Sequence, residues 1–289
     1  MRAPTNQFGL TIGQCATLAC VLEATAAKPG NVHRGADFED LTYTDLVLSG
    51  VMIGPEMERA AQRPLGDTVL AAVQATRRVV ATNSNLGMIL LLGPLATATC
   101  EESLQNGVTV VLQGLTRNDA RLVYDAIRLA KPGGLGKVES ADVAGEPPNS
   151  LVEAMRLAAD RDLVARQYAN GFAEVFSDVV PALRDAINRY AVYEAVVYAY
   201  LQILARHPDS LIARKCGADV AKRASDHAAQ ILGSAKPGDE DWHERLADFD
   251  FWLRSDCHRR NPGTTADLIT AGLFVTLWEG TLRLPLAEP

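Results

Sequence analysis

The chain has 289 residues, of which 48% are hydrophobic and 22% are charged, an ordinary balance for a globular protein with a substantial core. Its formal net charge of −7 and its lack of a basic block argue against nucleic acid as the main partner. Five dispersed cysteines without CxxC spacing exclude a typical disulfide framework and favour a reducing compartment.

The two most apolar stretches, GMILLLGPLATA and LITAGLFVTLWEG, are each about a dozen residues long. A membrane-spanning helix needs roughly 20 apolar residues, so both stretches predict buried helices and no membrane partner. The first residues, MRAPTNQFGLTIGQ, lack the continuous apolar segment of a signal peptide. These features together predict a cytoplasmic protein.

Helical periodicity runs through the first half of the sequence. Thr11 and Gln14 form a capping-box pattern ahead of apolar residues at helical spacing. A second helix is expected to start at Thr42, with Gly54 and Pro55 interrupting or kinking it. Thr116 is the expected N-cap of a later helix that the KPG at 131–133 ends. The helices predicted between these points cover about 67–82, 85–98, 102–115 and 117–130.

The second half continues the pattern. The segment AVYEAVVYAYLQILA is apolar on nearly every face and predicts a central helix surrounded by others. One short run, VTVVLQG, fits a strand as well as a helix, whereas residues 131–149 form a long Gly/Pro-rich loop of a kind that is often functional. We therefore expect an all-α fold, a single compact domain of about 12 helices over residues 1–289. The later helices are predicted near 150–159, 161–177, 179–189, 191–206, 210–232, 240–256 and 265–280.

Polar residues collect at the junctions between helices, first in KPGNVHRGADFED at 28–40. Its KPG is a good helix stop and recurs at 131–133 and 236–238. Cations and carboxylates alternate in the residues that follow, which suits a site that holds phosphates and a divalent metal together. A solvated loop of mixed charge is the alternative interpretation.

Four more polar segments follow along the chain. TNSNLG (82–87) and PDSLIARKCGAD (208–219) both open helices, and their Asn, Asp and Ser residues are also ordinary caps. GLGKVESAD (134–142) has neither Walker nor Rossmann spacing, although its Lys137 could reach a phosphate. In NPGTTAD (261–267), Thr264 or Thr265 can cap the next helix, but capping leaves Asn261 and Asp267 unexplained.

Several other kinds of site are disfavoured by the sequence. The five histidines show no HxxxH or HExxH spacing, which argues against a zinc site. There is no GxSxG nucleophile elbow, and no cysteine lies in a motif that marks a nucleophile.

Taken in order, the five segments resemble the triphosphoribosyl-dephospho-CoA synthase family, over about residues 14 to 280. Members of that family share patterns like PKPGLVDR-x-GAH-x-DM, NTHKG, a glycine-rich loop, DTNVASRGG and NPGGSADLL. The corresponding segments here are KPGNVHRGADFED, NSNLG, GLGKVESAD, DSLIARKCG and NPGTTADLI. This chain departs from the pattern in that Asp37 stands where the family often has His, and Asn85 and Leu86 replace its His and Lys.

The resemblance implies an all-helical enzyme that moves the 5-triphosphoribosyl group of ATP onto the ribose 2′-hydroxyl of dephospho-CoA and releases adenine. It also implies Mg²⁺ as cofactor, with ATP and dephospho-CoA, or another small phosphorylated acceptor, as partners. By position in the family motifs, Asp40, Asp209 and Asp267 are the expected metal ligands, and Asp37 or Glu39 the expected general base. The expected substrate- and phosphate-binding residues are Lys28, Arg34, Asn83, Asn85, Lys137, Arg214, Lys215 and Asn261.

Two other functions remain open from the sequence. One is an ATP- or nucleotide-dependent enzyme of one-carbon cofactor biosynthesis, of the tetrahydromethanopterin or methanofuran type, on the same scaffold. The other is an inactive helical binding protein. The apolar helix faces also permit a homodimer.

Overall fold

The computed structural model describes residues 5–100, 103–133, 143 and 145–286. Within these ranges the protein is all-helical: fourteen α-helices are present, and β structure is limited to two isolated bridges, Thr5 with Thr11 and His33 with Ala36. The predicted all-α fold is confirmed, with two helices more than the expected number of about 12. The ambiguous VTVVLQG run belongs to a helix. None of the helices in the described ranges is long and apolar enough to cross a membrane.

Most helices follow one another along the chain with short connections, and the two longer ones are residues 26–42 and 131–150. In the first half they are α1 Ile12–Thr25, α2 Tyr43–Glu58, α3 Leu65–Arg77, α4 Leu86–Thr97, α5 Leu104–Gln113 and α6 Arg117–Ala130. In the second half they are α7 Leu151–Ala158, α8 Leu163–Asn170, α9 Val180–Ile187, α10 Val192–Arg206, α11 Ser210–Cys216, α12 Ala218–Ser234, α13 Trp242–Arg254 and α14 Gly263–Trp278.

Side-chain caps explain why several helices begin where the sequence predicts. Thr11 accepts a hydrogen bond from the Gln14 backbone N–H, and the Gln14 side chain accepts one from the Thr11 N–H in return. The same reciprocal capping box is formed at the start of α2 by Thr42 and at the start of α6 by Thr116. Each box satisfies N–H groups that have no partner within the helix, which fixes the first turn.

Several predicted boundaries differ from the structure; for example, the helix predicted at 161–177 ends at Asn170 and the one predicted at about 67–82 ends at Arg77. Helix α2 continues through Pro55 because the proline is exposed near the end of the helix, where little backbone pairing is lost. The predicted helix at 210–232 is instead two helices, α11 and α12, separated at Gly217. That residue has a φ of 97°, a left-handed conformation that glycine adopts readily and that ends a helix.

The most buried helices are α14 and α4. Thirteen of the 16 residues of α14 and ten of the 12 residues of α4 are buried. Helix α14 packs against α1, α4, α9 and α10, so it lies at the centre of the core. Helix α10, which was predicted to be surrounded by others, is not fully enclosed, since Tyr193 in its first turn is 43% exposed. The first turns of α4, α8, α11 and α14 border one large cavity, together with the last turns of α1 and α6.

Candidate active site

The cavity has a volume of about 1350 Å³. Ordinary small-molecule pockets enclose roughly 300–1,000 Å³, so this one has room for more than one substrate. Its walls come from helix ends that are far apart in sequence, including the loop before α2, the turn before α4 and the turn before α14. These are the polar junctions that the sequence singled out.

Charge is distributed unevenly between the cavity and the rest of the chain. The chain carries a formal net charge of −7, whereas the described lining residues include more cations than carboxylates. A low-dielectric cavity with an excess of positive charge attracts anions. The lining cations are Arg77, Arg128, Lys131, Arg161, Arg214, Lys215 and Arg259, and the lining carboxylates are Glu23, Glu39, Asp40, Asp162 and Asp267.

Asp267 lies one turn into α14 and faces the cavity. Its carboxylate packs directly against the Cα of Gly87 in the first turn of α4, where any Cβ would collide with it. No described residue donates a hydrogen bond to this carboxylate. Burial raises the pKa of Asp267 well above its ordinary value, and the negative charges of Glu23, Asp209 and Asp162 raise it further. An unpaired carboxylate with carboxylate neighbours is a position that a cation would stabilise.

Asp209 has a different environment, although it too stands at a helix start. Its Oδ1 accepts hydrogen bonds from the backbone N–H groups of Leu211 (2.8 Å) and Ile212 (3.1 Å). Its Oδ2 accepts from the backbone N–H of Thr265 (2.7 Å) and from the Thr265 hydroxyl (2.8 Å). Asp209 is fully buried and does not line the cavity. It joins the starts of α11 and α14, which corrects the expectation that it ligates a metal.

The threonines of NPGTTAD also differ from the prediction. Neither Thr264 nor Thr265 caps α14, since the N-cap is Pro262 and makes no side-chain cap bond. The Thr265 hydroxyl donates to Asp209, and the Thr264 hydroxyl accepts a hydrogen bond from Ser210 at 3.1 Å. These side chains tie α14 to α11.

Arg214 and Lys215 bring positive charge to the cavity from α11. Arg214 forms an ion pair with Asp162 (Nη1 to Oδ2, 2.6 Å), and its buried Nε has no hydrogen-bond partner. Asp162 is the N-cap of α8 and was not predicted, because a capping aspartate carries no separate signal in the sequence. The Lys215 ammonium makes no ion pair or hydrogen bond with the described residues. Both cations can therefore bind an anionic ligand.

The three predicted asparagines all line the cavity. Asn83 accepts a hydrogen bond from the Leu86 backbone N–H at 3.2 Å, and Asn85 donates to the Thr76 hydroxyl at 3.3 Å. The side-chain oxygen of Asn261 is buried without a hydrogen-bond partner. Because a buried polar atom without a partner costs free energy, Asn261 is positioned to bind a polar ligand.

Of the four predicted residues in the loop before α2, two line the cavity and two do not. Glu39 and Asp40 line the cavity, and neither carboxylate has a partner among the described residues. Asp37 lies off the lining and accepts a hydrogen bond from the Tyr43 backbone N–H at 2.6 Å, so it stabilises the start of α2. Arg34 is exposed and also lies off the lining.

Lys28 and Lys137 are the remaining predicted phosphate-binding residues. Lys28 is completely buried, does not line the cavity and pairs with Glu23 at 2.9 Å. Lys137 lies outside the described residues. Glu23 was missed because a single carboxylate in the apolar first helix has no motif around it.

An aromatic wall completes the cavity. Phe38 and His258 line it and stack on each other with ring centroids 4.0 Å apart. The Arg254 guanidinium lies 5.3 Å from the Phe38 ring centroid. Phe38 is only 8% exposed, so the half-buried His258 ring is the part of this wall on which a heterocyclic base could stack.

The donor set suits Mg²⁺ better than a metal held entirely by protein. No group of three or more His, Cys, Asp and Glu side chains in the described ranges could hold a metal ion. The expected set of three carboxylates is therefore reduced to Asp40 and Asp267, since Asp209 is occupied by its four hydrogen bonds. Mg²⁺ commonly binds through one or two carboxylates plus substrate phosphates and water, so Asp40 or Asp267 alone would be a sufficient protein ligand for that ion.

Comparison with known proteins identifies the family of the chain. Residues 10–285 match the CitG family, described as ATP:dephospho-CoA triphosphoribosyl transferase. A crystal structure from Archaeoglobus fulgidus, described as a candidate triphosphoribosyl-dephospho-CoA synthase, is similar with 28% sequence identity and a TM-score of 0.64, covering 80% of this chain and 98% of that chain. The comparison with curated proteins gives no match. The match over nearly the whole chain shows that this protein belongs to the CitG family and is a transferase of the triphosphoribosyl-dephospho-CoA synthase type.

Proposed function

We propose that the protein transfers the triphosphoribosyl group of ATP to the ribose 2′-hydroxyl of dephospho-CoA, with release of adenine and dependence on Mg²⁺. The observation that carries the proposal is the cation-rich cavity, in a chain of net charge −7, with the unpaired Asp267 carboxylate on its wall. Both substrates are polyanions, and a cavity of about 1350 Å³ can admit both.

In this proposal Arg214 and Lys215 bind the triphosphate. The Arg214 guanidinium keeps free N–H groups after pairing with Asp162, because it has five donors in a fixed fork. Lys215 adds a mobile point charge. Arg77, Arg128, Lys131 and Arg161 extend the positive lining towards α6 and α8, where they suit the diphosphate of a second substrate. Lys137 also remains a proposed phosphate-binding residue.

Asp40 and Asp267 would hold Mg²⁺ in this cavity. When bound, the ion neutralises phosphate charge and helps to orient the triphosphate. The two carboxylates are suited to that role because no described residue pairs with either of them.

The remaining lining residues would position the ribose and the base. Asn83, Asn85 and Asn261 offer amide groups to hydroxyls or base edges. The Phe38–His258 wall would stack against adenine. Glycosyl transfer passes through an oxocarbenium-like ribose, so a fixed base and a fixed acceptor hydroxyl on opposite sides of C1′ favour the reaction.

The test is an incubation of the purified protein with ATP, Mg²⁺ and dephospho-CoA, followed by mass spectrometry. We expect equimolar adenine and triphosphoribosyl-dephospho-CoA. A matched acceptor control, 2′-deoxy-dephospho-CoA, should give no transfer product because it lacks the accepting hydroxyl. Adenine release without a dephospho-CoA product would contradict the proposed acceptor, and release of neither would contradict the proposed reaction.

A further inference from the structure

Glu23 is a buried carboxylate on the cavity wall that no motif identified. It lies in the last turns of α1, and its side chain is 3% exposed. Its Oε1 pairs with Lys28, whereas its Oε2 is buried and has no hydrogen-bond partner. A buried carboxylate oxygen without a partner is costly, and in a native protein it needs an explanation. Because Glu23 lines the cavity, a ligand there can supply the missing donor.

Lys28 has no capacity left to bind a phosphate. Its ammonium donates to Glu23 Oε1, to the Glu23 backbone carbonyl and to the Ala26 carbonyl (3.2 Å). An ammonium group has three donors, so all three are used within this turn. Lys28 therefore fixes the orientation of the Glu23 carboxylate and leaves one oxygen free.

The surroundings of Glu23 shift the pKa of its carboxyl group in two opposite directions. Burial raises the pKa of Glu23, and the charge and hydrogen bond of Lys28 offset part of that increase. The other titratable groups whose charges interact with it are Cys20 on its own helix, Tyr200 on α10 and Asp267 on α14. Burial keeps Cys20 and Tyr200 neutral by raising the pKa of each. Glu23 thus has one fixed cation, one oxygen without a hydrogen-bond partner and access to the cavity, an arrangement that suits a general base.

We propose that Glu23 Oε2 is the general base that accepts the proton of the acceptor hydroxyl, and that Lys28 is the positioning residue that holds the carboxylate. This inference rests on the proposed triphosphoribosyl transfer. The acceptor oxygen loses its proton to Glu23 and forms a bond to C1′ of the ATP ribose. The C1′–N9 bond breaks, and its electron pair leaves with adenine. Adenine takes a proton from solvent and Glu23 returns its proton to solvent, so the protons balance.

Three variants separate a catalytic role from a structural one. Glu23→Gln removes the base but keeps the shape of the side chain. Lys28→Met removes the cation that pairs with Glu23. The double variant replaces the buried ion pair with two uncharged residues, which removes the cost of leaving one charge unpaired. We expect Glu23→Gln and the double variant each to lower kcat by about 10²- to 10⁴-fold, with KM for ATP changed much less. Circular dichroism and thermal unfolding should show that the double variant is folded.

The pH profile supplies a readout that a structural role would not change. In the wild type, kcat should fall on the acid side as Glu23 becomes protonated, whereas the residual kcat of Glu23→Gln should lose that acid limb. A folded double variant with wild-type kcat would overturn the base role and leave the ion pair structural. Loss of the acid limb in Glu39→Gln instead of Glu23→Gln would also overturn it.

The same experiment distinguishes failure of the inference from failure of the proposed function. If wild-type protein forms the transfer product but Glu23→Gln retains more than half of kcat, the base assignment fails and the function stands. If wild-type protein transfers the triphosphoribosyl group to water instead of dephospho-CoA, the comparison is made on the rate of adenine release, where the same loss of kcat is expected. If wild-type protein releases no adenine, both proposals are overturned.

Discussion

At the scale of single residues, the contact between Gly87 and Asp267 connects two helices to the proposed chemistry. Gly87 lies in the first turn of α4, and the Asp267 carboxylate from α14 occupies the space where a Cβ would stand. Glycine at a helical position ordinarily costs about 1 kcal/mol relative to alanine. Here the missing Cβ is what allows the carboxylate to reach the cavity wall.

Gly87→Ala should therefore lower kcat/KM even though alanine favours helices. The new Cβ displaces the Asp267 carboxylate, and a displacement of about 1 Å in a catalytic group can cost about 100-fold in rate. The matched control is Gly233→Ala in α12, where an added Cβ meets nothing within 4 Å. Steady-state kinetics of both variants tests the contact, and equal activity of the two would show that the Asp267 position does not matter.

Two aspartates at the starts of α11 and α14 show the limit of sequence reasoning at this scale. Asp209 and Asp267 each stand in a polar segment near a helix start, and the pattern predicted one role for both. Their environments differ, since four donors surround Asp209 and none of the described residues donates to Asp267. Likewise, Lys28 is recognisable in its motif, but the sequence does not show that its ammonium pairs with Glu23, which lies in an otherwise apolar helix. Such partners are fixed only by tertiary packing.

At the scale of helices, the start of α6 is joined to the start of α3 through Asp119. Its Oδ2 accepts hydrogen bonds from the backbone N–H (2.8 Å) and hydroxyl (2.6 Å) of Thr116. Its Oδ1 accepts from the backbone N–H of Gly66, in the first turn of α3, at 2.8 Å. Burial raises the pKa of Asp119, but these hydrogen bonds lower it by more, so the net pKa lies below the ordinary value.

Asp119→Asn should lower the free energy of unfolding by about 1–3 kcal/mol at pH 7, because it disrupts hydrogen bonds to a buried charged group. A carboxylate with a lowered folded-state pKa stabilises the fold above its unfolded pKa of about 3.9, and this contribution is lost as the pH falls through the folded-state value. The difference between wild type and variant should therefore shrink in acid. Urea unfolding at several pH values measures it.

Asp45→Asn is the matched control for this prediction. Asp45 forms the same capping box with Thr42 at the start of α2, but no described residue of a neighbouring helix donates to it. It should cost less stability than Asp119→Asn. An Asp119 effect that equals the Asp45 effect, or that does not change with pH, would contradict the account of the joint between α3 and α6.

Local signals made most of the helices predictable. The capping box of Thr116 and the stop at residue 131 gave the limits of α6 correctly, because both signals are satisfied within a few residues. The division between α11 and α12 was missed because a glycine inside a helical pattern is ambiguous until its φ is known. The expected enclosure of α10 failed for a different reason, since burial depends on which neighbours pack on each face.

At the scale of the whole molecule, an acidic chain surrounds a cavity with a positive lining. The helix starts that form this lining are far apart in the sequence. The order of their polar segments along the chain indicated the family, whereas their meeting at one cavity is visible only in the structure. Arg77, Arg128 and Arg161 belong to no motif, and Lys131 was recognised only as part of a helix stop; all four enter the site through the packing of the helices around it. The fold class follows from sequence pattern, but the full charge of the cavity does not.

The most direct test of the central claim is to follow ribose-labelled ATP with the wild-type protein and with Asp267→Asn. We expect the wild type to move the ribose label, together with all three phosphates, into dephospho-CoA and to release unlabelled adenine. Asp267→Asn should keep the helical circular dichroism spectrum and transfer no label. If the ribose label stays attached to adenine, in a nucleotide or nucleoside, the proposed reaction is contradicted. If a folded Asp267→Asn variant transfers label at the wild-type rate, the proposed role of Asp267 is contradicted.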